Sequence, residues 1–462
     1  MPIEIRNPAA PDQIVATYDE TPDNALDEVV ARARAAQLEW AALPQPERGV
    51  MVANFVNALE TRSEEIAKSI TKEMGKPLAE ARGEAMKALG EARASVARAN
   101  APIGEVFGSQ IPGTVSYSTR RPRGVILGIN PWNFPFSTPM RKAIPALVYG
   151  NAIILKPASL TPGAVALMAE VAASTLPENL VQAVIGRGAL GQALAEHRGI
   201  DAVSFTGSVE VGKRVATAAA GHLAEVSLEL GGKNPAILND ASDLERVLDQ
   251  ILLAAFAVCG QRCTAVSRVI VHRDIEEAVV SGLAARAAAM EPMDGMIEGA
   301  KIGPLASAQQ LEDVAGFVSR AVSDGAVIAA GGHRLEIPGG GYFYAPTILR
   351  AVTRDMEIAR QEVFGPVLSL IAYDTVDEAL SIANDTAFGL SSCLYSERTD
   401  LVERFVAESE SGMLHVNAGS FPENHLPFVG IKDSSMGVGG SNGPSTIQFY
   451  TTEHAVYRRA CV

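Results

Sequence analysis

The 462-residue chain is long enough for two or three domains at roughly 100–200 residues each, and its 47% hydrophobic, 20% charged and 5% aromatic residues exclude a disordered or fibrous protein. A formal net charge of −14 with no Lys/Arg-rich block repels a phosphate backbone, so no nucleic acid is expected as a partner. The opening MPIEIRNPAAPDQIVATYDE has no apolar run of the kind a secretory signal needs, and no stretch approaches the ~18 apolar residues of a membrane span, so a cytoplasmic protein without a membrane partner is expected.

In the first hundred residues apolar positions recur at spacings of three and four, which predicts helices over Asn24–Trp40, Pro46–Glu60, Ser63–Met74 and Pro77–Asn100. From Gly124 short β-branched runs (VILGIN, NAIILKP, VQAVIG, AVSFTG, EVSLELGG) alternate with helical windows such as TPGAVALMAEVAASTL, the mark of βαβ units and a parallel sheet. After Asn234 a second series follows. Its strands are expected in VSRVIVHR, AVIAAGG, VLSLIAYD, SSCLYS and MLHVN, and its helices in IEEAVVSGLAARAAAM, LEDVAGFVSRAV and VDEALSIAND. TVSYSTRRPRG near residue 120 and STIQFYTTEHAVYRR at the end alternate and are rich in Thr and Tyr. They fit neither series and read as strands that pair outside either core, across a subunit boundary. The fold class is α/β, with two doubly wound domains.

Cys259, Cys263, Cys393 and Cys461 are too few and too scattered for a disulfide framework, so reduced thiols in a cytosol are the expectation. Cys259 and Cys263 share FAVCGQRCTAVS, a C-x3-C pair without the further Cys or His that a metal site would need. Cys259, placed in the helical run, is expected to pack as a small core residue. Cys263 falls in a Gly-Gln-Arg-Cys-Thr-Ala turn after the helical window Asp243–Val258, where backbone N–H groups and Arg262 would favour a thiolate, although a second packed thiol is the plain alternative.

Nucleophilic attack on a carbonyl also needs an oxyanion donor, a base and an electron acceptor. Asn133 in INPWNFPF follows the first strand of the parallel series, at the strand end where such sheets bind ligands, and its amide is either a donor for a developing O⁻ or a turn former. Glu229 in LELGGKNP ends another strand beside two glycines, as a base with room to move or as a solvated loop carboxylate. Gly186, Gly188 and Gly191 match G-x-G-x-x-G, but after the third strand rather than the first, so they read as a tight turn near a ligand. Gly207, Ser208 and Gly212 open a helix whose free N–H groups suit an anion.

PWNFP, LKPAS, FTGS, ELGGKNP, GQRCTA and EVFGPV stand in the order and approximate spacing of the aldehyde dehydrogenase superfamily, which the chain resembles over nearly its whole length. The resemblance implies an aldehyde dehydrogenase-like fold: residues 1–107 and 125–233 as a dinucleotide-binding domain, 234–441 as a catalytic domain, and 108–124 with 442–462 as a small β oligomerisation arm building a homodimer or homotetramer. It implies Cys263 as nucleophile, Glu229 as general base, and Asn133 with the Cys263 backbone N–H as oxyanion donors. For the dinucleotide it implies Trp132, Gly207 and Ser208 near the pyrophosphate, Glu362 at the nicotinamide ribose, Phe364 beside the nicotinamide, and Lys156 and Ser159 at the adenosine ribose.

Many relatives that prefer NAD carry a glutamate where this chain has Ser159, so the resemblance implies that NADP is used at least as well as NAD. LVYGNAIILKPASLTP, GQRCTAVSRVIV and FYTTEHAVY look most like the α-ketoglutaric semialdehyde dehydrogenases, with succinate-semialdehyde dehydrogenases next, and both groups act on short aldehydes bearing a carboxylate. Arg141 falls where a carboxylate-binding arginine is found in such enzymes, and Arg262 and His425 are further anion contacts. HLPFVGIKDSSMG departs from the common PFGG and resembles nonphosphorylating glyceraldehyde-3-phosphate dehydrogenases, which makes a phosphorylated aldehyde the first rival substrate and an aromatic aldehyde the second. Acylating relatives that pass the thioester to coenzyme A lack the glutamate, so Glu229 implies a free acid product. The rival outside enzymes is a catalytically silent structural protein of the same fold.

Overall fold

Local signals place the first four helices. They run Leu26–Ala42, Gln45–Thr61, Ser63–Met74 and Leu78–Val96, with Pro46 in the first turn of the second and Gly75, at φ 88°, ending the third. The computed structural model describes residues 2–337, 339–439 and 441–459; Cys461 and the last residues of the expected arm lie outside them. A hairpin of Ile3–Asn7 and Ala10–Tyr18 precedes the helices and was missed in the sequence, although Ile3 and Ile5 alternate with exposed neighbours.

The first sheet runs in the order 435–437, 225–229, 202–206, 125–129, 152–156, 181–183. Its last five strands are parallel and their inner members are buried on both faces, which is why runs such as AIILK are apolar almost throughout. The chain order reverses between Val125–Ile129 and Ala202–Thr206, and a crevice opens at the carboxyl ends of the strands there. Ser435–Gly437, from the segment assigned to the catalytic domain, pairs antiparallel with the edge strand so that Ser435 lies opposite Glu229.

The second sheet has seven strands in the order 327–330, 347–350, 367–373, 266–272, 234–238, 391–395, 413–416, all parallel except the first pair. Each sheet packs its helices around its own hydrophobic core. Among the described residues no helix is long and apolar enough to cross a membrane.

The two Thr/Tyr-rich stretches pair with each other within the chain: Thr114–Pro122 runs antiparallel to Thr451–Arg459, and Val106–Phe107 adds a third strand. The tail departs from the expected strand at its start. Thr446–Tyr450 is a short helix, because Phe449 and Tyr450 turn into the first core rather than continuing the ribbon.

Candidate active site

The cysteine loop is shaped by its neighbours. The helix Leu244–Phe256 begins with the Asp243 carboxylate accepting from Arg246 N at 3.1 Å and stops two residues short of expectation, because Val258 and Cys259 take left-handed conformations at φ 58° and 55°. Cys259 therefore lies beyond the helix, though buried. Gly260 follows at φ 70°, where a Cβ would meet Gly365 O at 2.1 Å. Asn234 Nδ2 then donates to Cys263 O at 2.7 Å and Ala265 O at 2.9 Å, while its Oδ1 accepts from Ser391 N at 3.0 Å. ELGGKNP and GQRCTA are thus two sides of one clamp, in which a Cβ on Gly232 would sit 2.5 Å from Cys263 O.

Cys263, Glu229 and Asn133 line one cavity of ~590 Å³. The half-buried Cys263 thiol is pushed up to about 12 by burial, then by the carboxylates of Glu362 and Glu229, while Arg141 and Arg262 draw it down. Cys259 is fully enclosed, and burial raises its thiol well above the ordinary value. Glu229 closes the strand Glu225–Glu229; its Oε1 accepts from Ser441 N at 3.1 Å and its Oε2 from Thr206 Oγ1 at 3.4 Å. Lys142 Nζ donates to the same Thr206 hydroxyl at 2.9 Å, and burial lowers Lys142 to about 7 against the opposing pull of Glu229. Asn133 is buried, and its Nδ2 donates to Gln261 O at 2.9 Å; the amide's second hydrogen remains available.

The same cavity is lined by Trp132, Gly207, Ser208, Glu362 and Phe364. Ser208 caps the helix Val209–Ala220, accepting from Val211 N at 3.4 Å, which leaves other first-turn N–H groups unpaired within the helix. Trp132 and Phe364 meet edge to face with centroids 5.4 Å apart, and Phe364 holds the uncommon φ of 55°. Glu362 Oε1 accepts from Gly232 N at 3.0 Å, and burial raises the carboxyl to about 7 although Gly232 and Lys233 oppose it. A helix start, an aromatic pair and a carboxylate around the sheet's reversal point suit a dinucleotide.

Lys156 and Ser159 lie outside this cavity, at and just past the end of the strand Ala152–Lys156. Lys156 Nζ donates to Pro157 O at 3.0 Å, and burial lowers it to about 8 while Glu20 acts in the opposite sense. Gly191 packs on the Lys156 stem, a Cβ there falling 3.6 Å from it, so the 186–191 glycine run borders the lysine.

Arg141 and Arg262 reach the cavity, and His425 does not. Arg141 is already engaged by Glu91 through Nε at 3.1 Å and Nη2 at 3.0 Å, and lies 4.7 Å from the Phe428 ring centroid. Arg262 Nη2 donates to Thr264 Oγ1 at 3.1 Å and Ser420 O at 2.8 Å, whereas its buried Nη1 has no hydrogen-bond partner among the described residues. His425 must be set aside as a cavity contact: Phe421, Pro422 and Phe428 line the wall, but the loop tip between them turns outward and leaves His425 exposed 3.6 Å from Glu423. Lys87 lines the wall instead, its Nζ donating to Pro422 O at 2.9 Å.

The chain belongs to the aldehyde dehydrogenase family, whose model matches residues 1–456. It is an α/β oxidoreductase of a class that uses NAD or NADP and acts on small-molecule aldehydes. Among similar proteins, the α-ketoglutaric semialdehyde dehydrogenase of Bacillus subtilis is 37% identical over 460 residues, covering 98% of this chain and 94% of that one. A betaine aldehyde dehydrogenase of Cereibacter sphaeroides is 35% identical over 464 residues, covering 99% and 93%. The crystal structure of an NADP-dependent enzyme of E. coli superposes with a TM-score of 0.96 at 30% identity, covering 100% of this chain and 95% of that one.

Proposed function

We propose that this enzyme oxidises a short aldehyde carrying an anionic group, a carboxylate-bearing semialdehyde foremost, to the free acid. The observation that carries the substrate class is the grouping of Lys87, Arg141 and Arg262 on the wall of the cavity that holds Cys263. Glu91 pairs directly with Arg141, whereas Lys87 and Arg262 form no direct ion pair among the described residues, Glu91 and Glu80 acting on them only at longer range against the effect of burial; two such cations on the wall disfavour a cationic substrate such as a betaine aldehyde.

In the reaction Cys263 releases its proton to solvent and attacks the carbonyl carbon as the thiolate, and the C=O π pair moves to oxygen, where Asn133 Nδ2 and the Cys263 N–H receive the charge. A bound nicotinamide dinucleotide supplies the acceptor for the substrate hydride. Glu229 then takes a proton from water as it attacks the resulting thioester, and the C–S bond breaks to return the thiol and release the acid. With Ser159 beside Lys156, no carboxylate at position 159 opposes a 2′-phosphate, and NADP is accepted at least as well as NAD. Similarity to an NADP-dependent structure supports that reading.

A panel of semialdehydes, neutral aldehydes of equal length, phosphorylated aldehydes and benzaldehydes, assayed with both cofactors, tests the proposal. The semialdehydes should have the highest kcat/KM, and Lys87→Met should lower it about tenfold or more for them while sparing neutral aldehydes. A neutral or aromatic aldehyde turned over best, with no effect of Lys87→Met, would refute the anionic substrate. The same two cations would also receive a phosphate, so a phosphorylated aldehyde is the second reading, and it wins if it leads the panel.

A further inference from the structure

Two charged side chains from the first hundred residues grip the Asn133 loop from inside the protein. Lys76 stands between the helices Ser63–Met74 and Leu78–Val96, and Glu84 lies in the second of these; their side chains are 0% and 1% exposed. Lys76 Nζ lies 2.6 Å from Glu84 Oε2 and donates to Asn133 O at 2.7 Å. The other carboxylate oxygen, Glu84 Oε1, accepts from Phe136 N and Ser137 N, both at 3.0 Å. Those two N–H groups open the helix Ser137–Val148, which has no side-chain cap of its own, so Glu84 serves as a cap supplied from another helix at an end that favours negative charge. The ammonium also sits 4.3 Å from the Phe134 ring centroid. Asn133, Phe134, Phe136 and Ser137 are thereby all fixed to one buried pair.

Taking an ammonium and a carboxylate out of water is expensive, and an apolar pair of similar size generally stabilises a fold as well or better. Directed hydrogen bonds are what an apolar pair cannot provide. One of the bonds here holds the backbone carbonyl of Asn133 and two hold the turn that follows it, while the Asn133 side-chain amide is tied to Gln261 O at 2.9 Å, two residues before Cys263.

We propose that Lys76 and Glu84 are positioning residues that hold the Asn133 amide at the angle and distance where a developing oxyanion meets it. The inference rests on the reading of Asn133 as the oxyanion donor. Misplacement of such a donor by about 1 Å costs on the order of 100-fold in rate, so loss of the pair should slow the chemical step without touching the thiol.

The test is a double-mutant cycle in the full-length enzyme, read as the single-turnover rate of reduced-cofactor formation. Lys76→Met with Glu84→Met should remain folded by thermal unfolding, lower that rate about 10–100-fold, leave the KM for cofactor near the parent value, and leave alkylation of Cys263 by iodoacetamide unchanged. In an Asn133→Ala background the same pair of substitutions should change the rate by no more than about twofold, because the group they position is gone. If the double methionine variant does not fold, Glu84→Gln, which keeps the shape, is run through the same cycle under the same criteria. A folded variant with the parent rate overturns the proposal, and so does an equal fold-loss in both backgrounds. An Asn133→Ala enzyme with the parent rate would remove the oxyanion reading itself and this inference with it, whereas the other two results remove only the positioning role.

Discussion

Cys263 sits where opposed fields meet. Burial and the carboxylates of Glu362 and Glu229 favour the thiol, while Arg141 and Arg262 favour the thiolate, and the first set prevails in the free protein. A raised pKa means that at neutral pH the thiolate is scarcer than for an ordinary cysteine, and that its share grows as pH rises. Alkylation of the free enzyme by iodoacetamide should therefore accelerate ~tenfold per pH unit between pH 7 and 9 and show no plateau below pH 10. Cys259→Ser should leave that profile unchanged, because Cys259 is enclosed in the core. A plateau at or below pH 8 would show that the arginines outweigh burial. Cys263, Glu229 and Asn133 were legible because each stands at a local break in pattern, beside glycines, prolines or a strand end. Lys76, Glu84, Lys87 and Glu91 were not. Charged residues spaced along a helix read as its solvated face, and only the packing of Leu78–Val96 against Ser137–Val148 turns Glu84 and Glu91 inward.

At the scale of elements, the ends of parallel strands decide what is presented to a ligand. Glu229, Thr206 and Lys156 each end a strand of the first sheet, and Asn133 and Ser159 lie within four residues past such ends. Ser159 stands close to a lysine whose charge burial already weakens. Ser159→Glu would place a carboxylate near the expected 2′-phosphate, and repulsion between two anions there should cut kcat/KM for NADP at least ~tenfold while changing NAD little. Steady-state kinetics with both cofactors checks it; undiminished NADP use would place the adenosine ribose elsewhere. Helix starts were easier to read than helix ends. Ser208 before Val209 is a strong capping signal, whereas the stop after Phe256 depends on left-handed Val258 and Cys259, which no local preference favours.

For the whole molecule, the three-stranded ribbon stands apart from both cores and carries large exposed apolar groups, Val106 at 81% and Tyr457 at 78% among them. We propose this ribbon as the contact for a second copy of the chain, in line with a family whose members are typically oligomeric. Val106→Glu with Tyr457→Glu should lower the mass measured by light scattering while leaving the thermal transition near the parent value. An unchanged mass would assign the subunit contact to another surface. Truncation before Ser445 is a poorer probe of that contact, since Phe449 and Tyr450 belong to the first core and their loss would disturb the fold itself.

By itself the sequence determined the α/β class, both series of parallel strands, the family and part of the cavity lining, Cys263, Glu229 and Asn133 among it, because periodicity, capping and short glycine-flanked motifs are local and survive in one dimension. Tertiary structure alone decided which charges reach the site and which are already spent. Glu91 occupies Arg141, the loop tip carries His425 into solvent, and Lys76 with Glu84 fastens the loop of Asn133. Those outcomes depend on which faces of distant helices meet, and a pairing between residues 50 or more positions apart leaves no periodic trace in the chain that makes it.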